Sequence, residues 1–172
     1  MQGLMMDRAL VIPSIIEHAA RYHGDTEVVS VNTLGGQHRT NYAQIRARAL
    51  RMASALQKRG MRKSDRIATI AWNNYRHLEL YYAISGSGYV LHTINPRLFA
   101  EQLVYIVNHA EDRIIFFDAT FLPLVEGLRE HLPNVEAFVL MEAADPALAQ
   151  KHPWLTFYED LLSEGDNGHE WP

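Results

Sequence analysis

From Asp65 to Met141 the chain alternates short apolar runs with amphipathic stretches, and that rhythm restricts the fold more than any single residue does. The segments "RIATIAW" (66–72), "YVLHTI" (89–94), "RIIFFD" (113–118) and "VEAFVL" (135–140) have the length and the β-branched or aromatic content of strands. Three helical patterns lie between them. The first opens near Asn74 and puts Leu78, Tyr81, Tyr82 and Ser85 on one face, broadened by Leu80 and Ile84. The second carries Leu103, Ile106, Val107 and Ala110, and the third Phe121, Leu124, Val125 and Leu128. Parallel strands need crossovers of about this length, so the pattern predicts an α/β fold: a mainly parallel sheet covered by helices, with its regular core over about 65–141.

Upstream, Pro13 suits the first turn of a helix whose Ile12, Ile15, Ile16, Ala19 and Tyr22 recur at helical spacing until Gly24. "EVVSVNTLGGQHRTNY" reads as a hairpin, because Gly35 and Gly36 tolerate the positive φ of a tight turn. Thr40 is then the expected cap of a long helix with Ile45, Ala49, Met52, Ala53 and Leu56 inward and Gly60 at its end. After Met141 the pattern weakens. Residues 142–172 hold three prolines and seven acids against one lysine, and read as a loop-rich tail with a short helical piece near "TFYEDLL". The ending Trp171-Pro172 resembles neither a packed last element nor a polar tail, so the chain is expected to be a truncated part of a larger domain.

A chain of 172 residues, 48% of them hydrophobic, can bury one core. A net charge of -4 argues against nucleic acid as the main partner. With no cysteine, disulfides, zinc-thiolate centres and a thiol nucleophile are excluded. The N-terminal stretch mixes charges among helically spaced apolar residues, unlike a secretion signal, and no run of about 18 apolar residues supplies a transmembrane segment. The expected location is the cytoplasm.

The chemistry-bearing motifs are few. "SGSG" (85–88) closes a helix and opens a strand, the reverse of a phosphate loop, and so reads as a helix stop. The nine histidines show no H-x-H or H-E-x-x-H spacing, and no metal site is expected. G-x-S-x-G is absent, and no catalytic residue is assigned. Nine of the sixteen Lys and Arg residues fall between Arg39 and Arg66; a solvated helix face accounts for them, with docking of a phosphate-bearing ligand as the sharper alternative. Asn95, Pro96 and Arg97 follow a predicted parallel strand, where open α/β sheets present ligand sites. Arg97 could pair with phosphate while Pro96 stiffens the loop; a rigid strand-to-helix turn is the plainer reading.

The order of elements, with "TNYAQIRARALRMASALQKRGMRKSDRIATIAWNNYRHLELYYAISGSGYVLHTINPRLFAEQLVYIVNHAEDRIIFFD", resembles the N-terminal part of the AMP-forming acyl-CoA synthetases, over about residues 10–142. The "INPRL" loop and "NHAEDRIIFFD" are similar to the medium- and long-chain fatty acid branch. The resemblance implies a parent enzyme that joins a fatty acid to CoA through an acyl-adenylate, using ATP and usually Mg2+. It also implies that the phosphate loop, of the form S-G-T-T-G-x-P-K-G, should follow residue 172. Residues 1–172 would then be a partial AMP-binding domain, inactive alone, with Asn95, Pro96 and Arg97 on its coenzyme A channel. Phe99 stands where many relatives place a capping Ser or Thr, which bears on the register of that loop. A non-catalytic binding or assembly module, with homo-oligomer formation through exposed apolar surface, is the expectation from a different class. A Rossmann-like domain would need a G-x-G-x-x-G after a strand, and none exists.

Overall fold

The computed structural model describes Asp7 and residues 9–172; the remainder of the N-terminal stretch lies outside the described residues. Helix α1 (Pro13–Tyr22) precedes an antiparallel hairpin of β1 (Glu27–Val31) and β2 (Gln37–Asn41), and α2 (Tyr42–Lys58) follows. Five further strands, β3 (Arg66–Ile70), β4 (Val90–Thr93), β5 (Asp112–Phe117), β6 (Ala137–Leu140) and β7 (Leu155–Phe157), form one parallel sheet in the order β4-β3-β5-β6-β7. The helices between them are α3 (Tyr75–Gly86), α4 (Ala100–Ala110), α5 (Leu122–Leu128) and α6 (Pro146–Lys151), and α7 (Tyr158–Glu164) follows β7. The α/β architecture expected from the sequence is present, with the sheet covered on both faces.

Period-two alternation divides the core. Ile67, Ile114, Phe116 and Val139 point to one face, where α2 packs Met52 and Leu56, α3 packs Leu80 and Ile84, and α7 packs Tyr158 and Leu161. Ala68, Ile70, Ile115, Phe117 and Leu140 point to the other, under Leu103 and Val107 of α4 and Val125 and Leu128 of α5. Each fully buried aliphatic or aromatic side chain contributes roughly 1.5–3 kcal/mol, so two such layers account for the sheet's cohesion.

Three local expectations are corrected. Thr40 is not the cap of α2: β2 runs to Asn41, which pairs with Glu27, and Asn41 Oδ1 accepts the Gln44 N–H at 2.9 Å. Thr40 Oγ1 instead donates to Gln44 Oε1. Gly60 ends the helix as anticipated, in the left-handed conformation, with Met61 N–H on the Leu56 carbonyl and Gly60 N–H on the Gln57 carbonyl. In α3 the buried face is Leu80, Ala83 and Ile84 rather than Leu78, Tyr81 and Ser85, because charged Glu79 also turns inward and rotates the helix. In α1 only Ile16 of the apolar set is fully buried; Ile12, Ile15 and Tyr22 are exposed.

The tail is the largest correction. Residues 142–172 contribute a sheet strand and two helices, not mostly loop. Asp145 Oδ1 caps α6 by accepting the Ala147 and Leu148 N–H groups, β7 pairs with β6, and Tyr158 and Leu161 of α7 are core residues. Elements of three to seven residues are too short to show a period, which is why the pattern faded there. The fit is close: a Cβ on Gly165 would lie 1.8 Å from the Arg51 carbonyl oxygen of α2.

Candidate functional site

All five sheet strands end on one edge, and the helices that follow them leave in different directions. From β3 the chain turns to α3 on the first face, whereas β4 and β5, its neighbours, feed α4 and α5 on the second. Divergence of this kind opens crevices at the carboxyl end of β3, one on each side.

The crevice between β3 and β5 is filled by the protein itself. Fully buried Asp118, just beyond β5, accepts hydrogen bonds from the Trp72 N–H (2.5 Å), Asn74 Nδ2 (3.1 Å) and Thr33 Oγ1 of the hairpin loop (3.2 Å). Asn74 in turn caps α3 through the His77 N–H, and His77 Nε2 lies 3.1 Å from Thr69 Oγ1. Burial lowers the His77 pKa, against the opposing pull of Asp118, so the imidazole is neutral. Beside this plug, Trp72 stays partly exposed, donates from Nε1 to Thr120 Oγ1 at 2.9 Å and tilts against Phe121. Sequence reasoning overlooked Asp118 and Asn74. The signals were an acid at a strand end and an Asn before a helix, both ordinary capping vocabulary.

The crevice beside β4 holds Asn95, Pro96 and Arg97. Ile94 N–H still pairs with the Thr69 carbonyl of β3 at 2.9 Å, after which the backbone leaves the sheet. Asn95 Oδ1 accepts the Arg97 N–H at 3.0 Å, an Asx turn that Pro96 rigidifies. Asn95 and Arg97 are exposed, Pro96 is half-buried, and Arg97 forms no ion pair among the described residues. Phe99 begins α4 without a side-chain acceptor and is 79% exposed; the start is secured from the other direction, by Gln102 Oε1 accepting the Phe99 N–H at 3.1 Å. The loop therefore keeps a defined register despite the lost cap.

Six of the nine cations in the basic segment are held in ion pairs. Arg39 pairs with Glu27, Arg46 with Glu17, Lys58 with Asp166, Arg59 with Glu164 and Arg66 with Glu111. Arg48 is half-buried, donating to Glu79 at 2.7 Å and to both oxygens of Glu159 at 2.9–3.0 Å. Arg76 joins from α3, reaching Glu159, Glu142 and the Met141 carbonyl. Tyr158 donates to Glu79 Oε2 at 2.8 Å beneath them. Burial raises the Glu79 pKa against these partners; for Glu159 the two guanidinium groups outweigh burial and hold it below its usual value. Burial likewise pushes Tyr75, under both guanidinium groups, up to about 12. This cluster bolts α2, α3 and α7 together and commits Arg48 and Arg76; Arg62 and Lys63, beyond the end of α2, are exposed. "SGSG" is a helix stop: Ser87 Oγ donates to the Ala83 carbonyl and Gly88 has φ 77°. Among the described residues no three His, Asp or Glu side chains converge as a metal site, and no helix is long and apolar enough to cross a membrane.

Comparison with known proteins agrees with this architecture. A family model described as "AMP-binding enzyme" matches residues 16–165. The chain is 59% identical, over its whole length, to a 3-methylmercaptopropionyl-CoA ligase of Ruegeria lacuscaerulensis, covering 32% of that protein. It is 54% identical to the medium-chain-fatty-acid–CoA ligase of Ectopseudomonas oleovorans, again over its whole length and 32% of the relative. Its fold matches the crystal structure of the anthranilate CoA ligase AuaEII in complex with anthranoyl-AMP with a TM-score of 0.77 at 18% identity, covering 93% of this chain and 28% of that one. The chain thus spans about a third of the length of the curated relatives it matches. With a family model covering most of its length and this sheet beneath it, the chain belongs to the AMP-binding enzyme family, among homologues that are acyl-CoA ligases.

Proposed function

We propose that this chain is the front end of an AMP-forming acid–thiol ligase, and that Asn95, Pro96 and Arg97 lie on its coenzyme A side. In that reaction a carboxylate oxygen attacks the α-phosphorus of ATP and expels pyrophosphate. The thiol of CoA then attacks the acyl carbon and AMP leaves. The observation that carries the reading is the match of all 172 residues to CoA ligases at more than half identity. The loop supports it, because Arg97 carries an exposed guanidinium suited to a phosphate, at the carboxyl edge of the parallel sheet.

The residues present do not fit ATP or Mg2+. The chain contains no S-G-T-T-G-x-P-K-G sequence, and its buried carboxylates Glu79, Asp118 and Asp112 are engaged by Arg48 and Tyr158, by Trp72 and Asn74, and by His92. The 172-residue chain alone is accordingly expected to catalyse neither half-reaction. The acid is a fatty acid or a short thioether acid, the two classes named among the relatives, and the expected compartment is the cytoplasm. The full-length protein, assayed with CoA, ATP, 3-methylmercaptopropionate and medium- and long-chain fatty acids, should form AMP and a thioester. No thioester from any of them would reject the reading, and acid-dependent ATP–pyrophosphate exchange by the 172-residue chain would reject its inactivity.

One observation favours a second reading, a non-catalytic assembly module. The hairpin turns Ser30 and Thr40 inward while Val29, Val31 and Leu34 are exposed, an inverted pattern joined by exposed Leu10, Ile12 and Ile15. Self-association of the 172-residue chain, measured by light scattering and abolished by Val31→Lys, would support it. A monomer at high concentration would sink it.

A further inference from the structure

Edge strand β4 carries the loop Asn95–Arg97 but is weakly specified. Only β3 pairs with it, over four residues. Its exposure runs exposed, partial, partial, exposed, so neither face is distinguished by burial. Within the strand itself, such a pattern does little to oppose a slip along its neighbour. A two-residue slip would keep every side chain on its face while moving the loop by roughly 6.6 Å.

The burial of Tyr89 before the strand and Ile94 after it opposes a slip from the ends, and one polar contact opposes it from within the strand. His92 Nδ1 lies 2.7 Å from Asp112 Oδ2, so the imidazole of β4 reaches past β3 to a carboxylate on β5. Three features of the sequence build this contact. Ala68, opposite His92 on β3, is small enough for the ring to pass over it. The register of β3 against β5 shifts after Arg66, pairing Arg66 with Asp112 but Ile67 with Ile114. That shift leaves Arg113 as the extra residue and turns Asp112 onto the face shared by Ala68 and His92. Asp112 itself is fully buried, and its Oδ1 receives no hydrogen bond from the described residues. Stability alone gives no reason for a half-satisfied buried carboxylate, since an apolar pair of similar shape commonly does as well; specifying one arrangement does. The tie is also diagonal: His92 opposes Ala68, whereas Asp112 opposes Arg66, two residues earlier. Sliding β4 along β3 would break it.

We propose that His92 and Asp112 form a register lock, positioning residues that fix edge strand β4, and through it Asn95–Arg97, against the centre of the sheet. The kinetic consequence rests on the coenzyme A reading above; the lock itself does not, and two experiments separate them. In the 172-residue chain, amide hydrogen exchange followed by NMR reports the Val90 N–H on the Asp65 carbonyl and the Ile94 N–H on the Thr69 carbonyl, bonds specific to this register. His92→Leu should lower protection at both by about tenfold. The Met141 N–H on the Phe117 carbonyl should keep its protection. His92→Gln, which can still donate to Asp112, should retain all three. Unchanged protection in His92→Leu, an equal fall throughout the sheet, or a Gln variant as impaired as Leu would overturn the lock.

In the full-length protein, His92→Leu should raise KM for CoA about tenfold while acid-dependent ATP–pyrophosphate exchange stays within about twofold, with His92→Gln restoring the wild-type KM. An equal loss in both half-reactions would show a general packing role and overturn the positioning claim. If the wild-type protein makes no thioester, the coenzyme A reading fails while the hydrogen-exchange result still decides the lock.

Discussion

The two crevices flanking β3 differ in what their polar groups face. Between β3 and β5, Asp118 draws three donors inward and is satisfied by the protein's own groups. Beside β4, the Asx turn consumes one oxygen of Asn95 and leaves Arg97 to solvent. Position at the carboxyl edge is therefore not sufficient for a site. What separates scaffold from candidate site is whether the charged groups there are already paired.

The contrast is broken most forcefully at its sealed half. Asp118→Ala would leave the Trp72 N–H, the Asn74 amide and Thr33 without their acceptor, and should destabilise the chain by about 3 kcal/mol in urea unfolding. Asp118→Asn, which keeps an acceptor, should cost less. Second in size is the bolt beneath the sheet's far end. Glu159→Gln weakens the hold on Arg48 and Arg76 and should cost about 2 kcal/mol, with helix α7 loosening first by hydrogen exchange.

The same residue gives a pH dependence. The folded-state pKa of Glu159 is depressed, so its stabilisation is present above the ordinary carboxylate value of 4.5 and is lost as pH falls through the folded value. Buried Glu79 is shifted the other way and offsets part of that loss, because its protonation favours the fold. Acid unfolding of Glu159→Gln should therefore be shallower than wild type below about pH 4.5. Smallest is the open half: Arg97→Ala should change stability by less than about 0.5 kcal/mol, since its guanidinium holds nothing in place.

The βα rhythm from Asp65 to Met141 was legible because each strand there has an apolar run long enough to read and each crossover helix shows a stripe. The tail was not, since β7 offers three residues and α6 six. Helix rotation was misjudged in α3 for a physical reason: Glu79 is buried only because Arg48 and Tyr158 arrive from helices far away in sequence. The location of Asn95–Arg97 followed from the strand that precedes it. The plug of Asp118, Asn74, Trp72 and Thr33 did not, because its members are 33 to 118 in the numbering and meet only through the sheet order. The His92–Asp112 contact was equally hidden, requiring both the β4-β3-β5 order and the register shift at Arg113.

The most direct test of the account compares two half-reactions of the full-length protein carrying Arg97→Ala. KM for CoA should rise about tenfold, the loss of one exposed phosphate contact, with acid-dependent ATP–pyrophosphate exchange unchanged. An unchanged KM for CoA, or an equal fall in exchange, would contradict the assignment of the open crevice to the coenzyme A side.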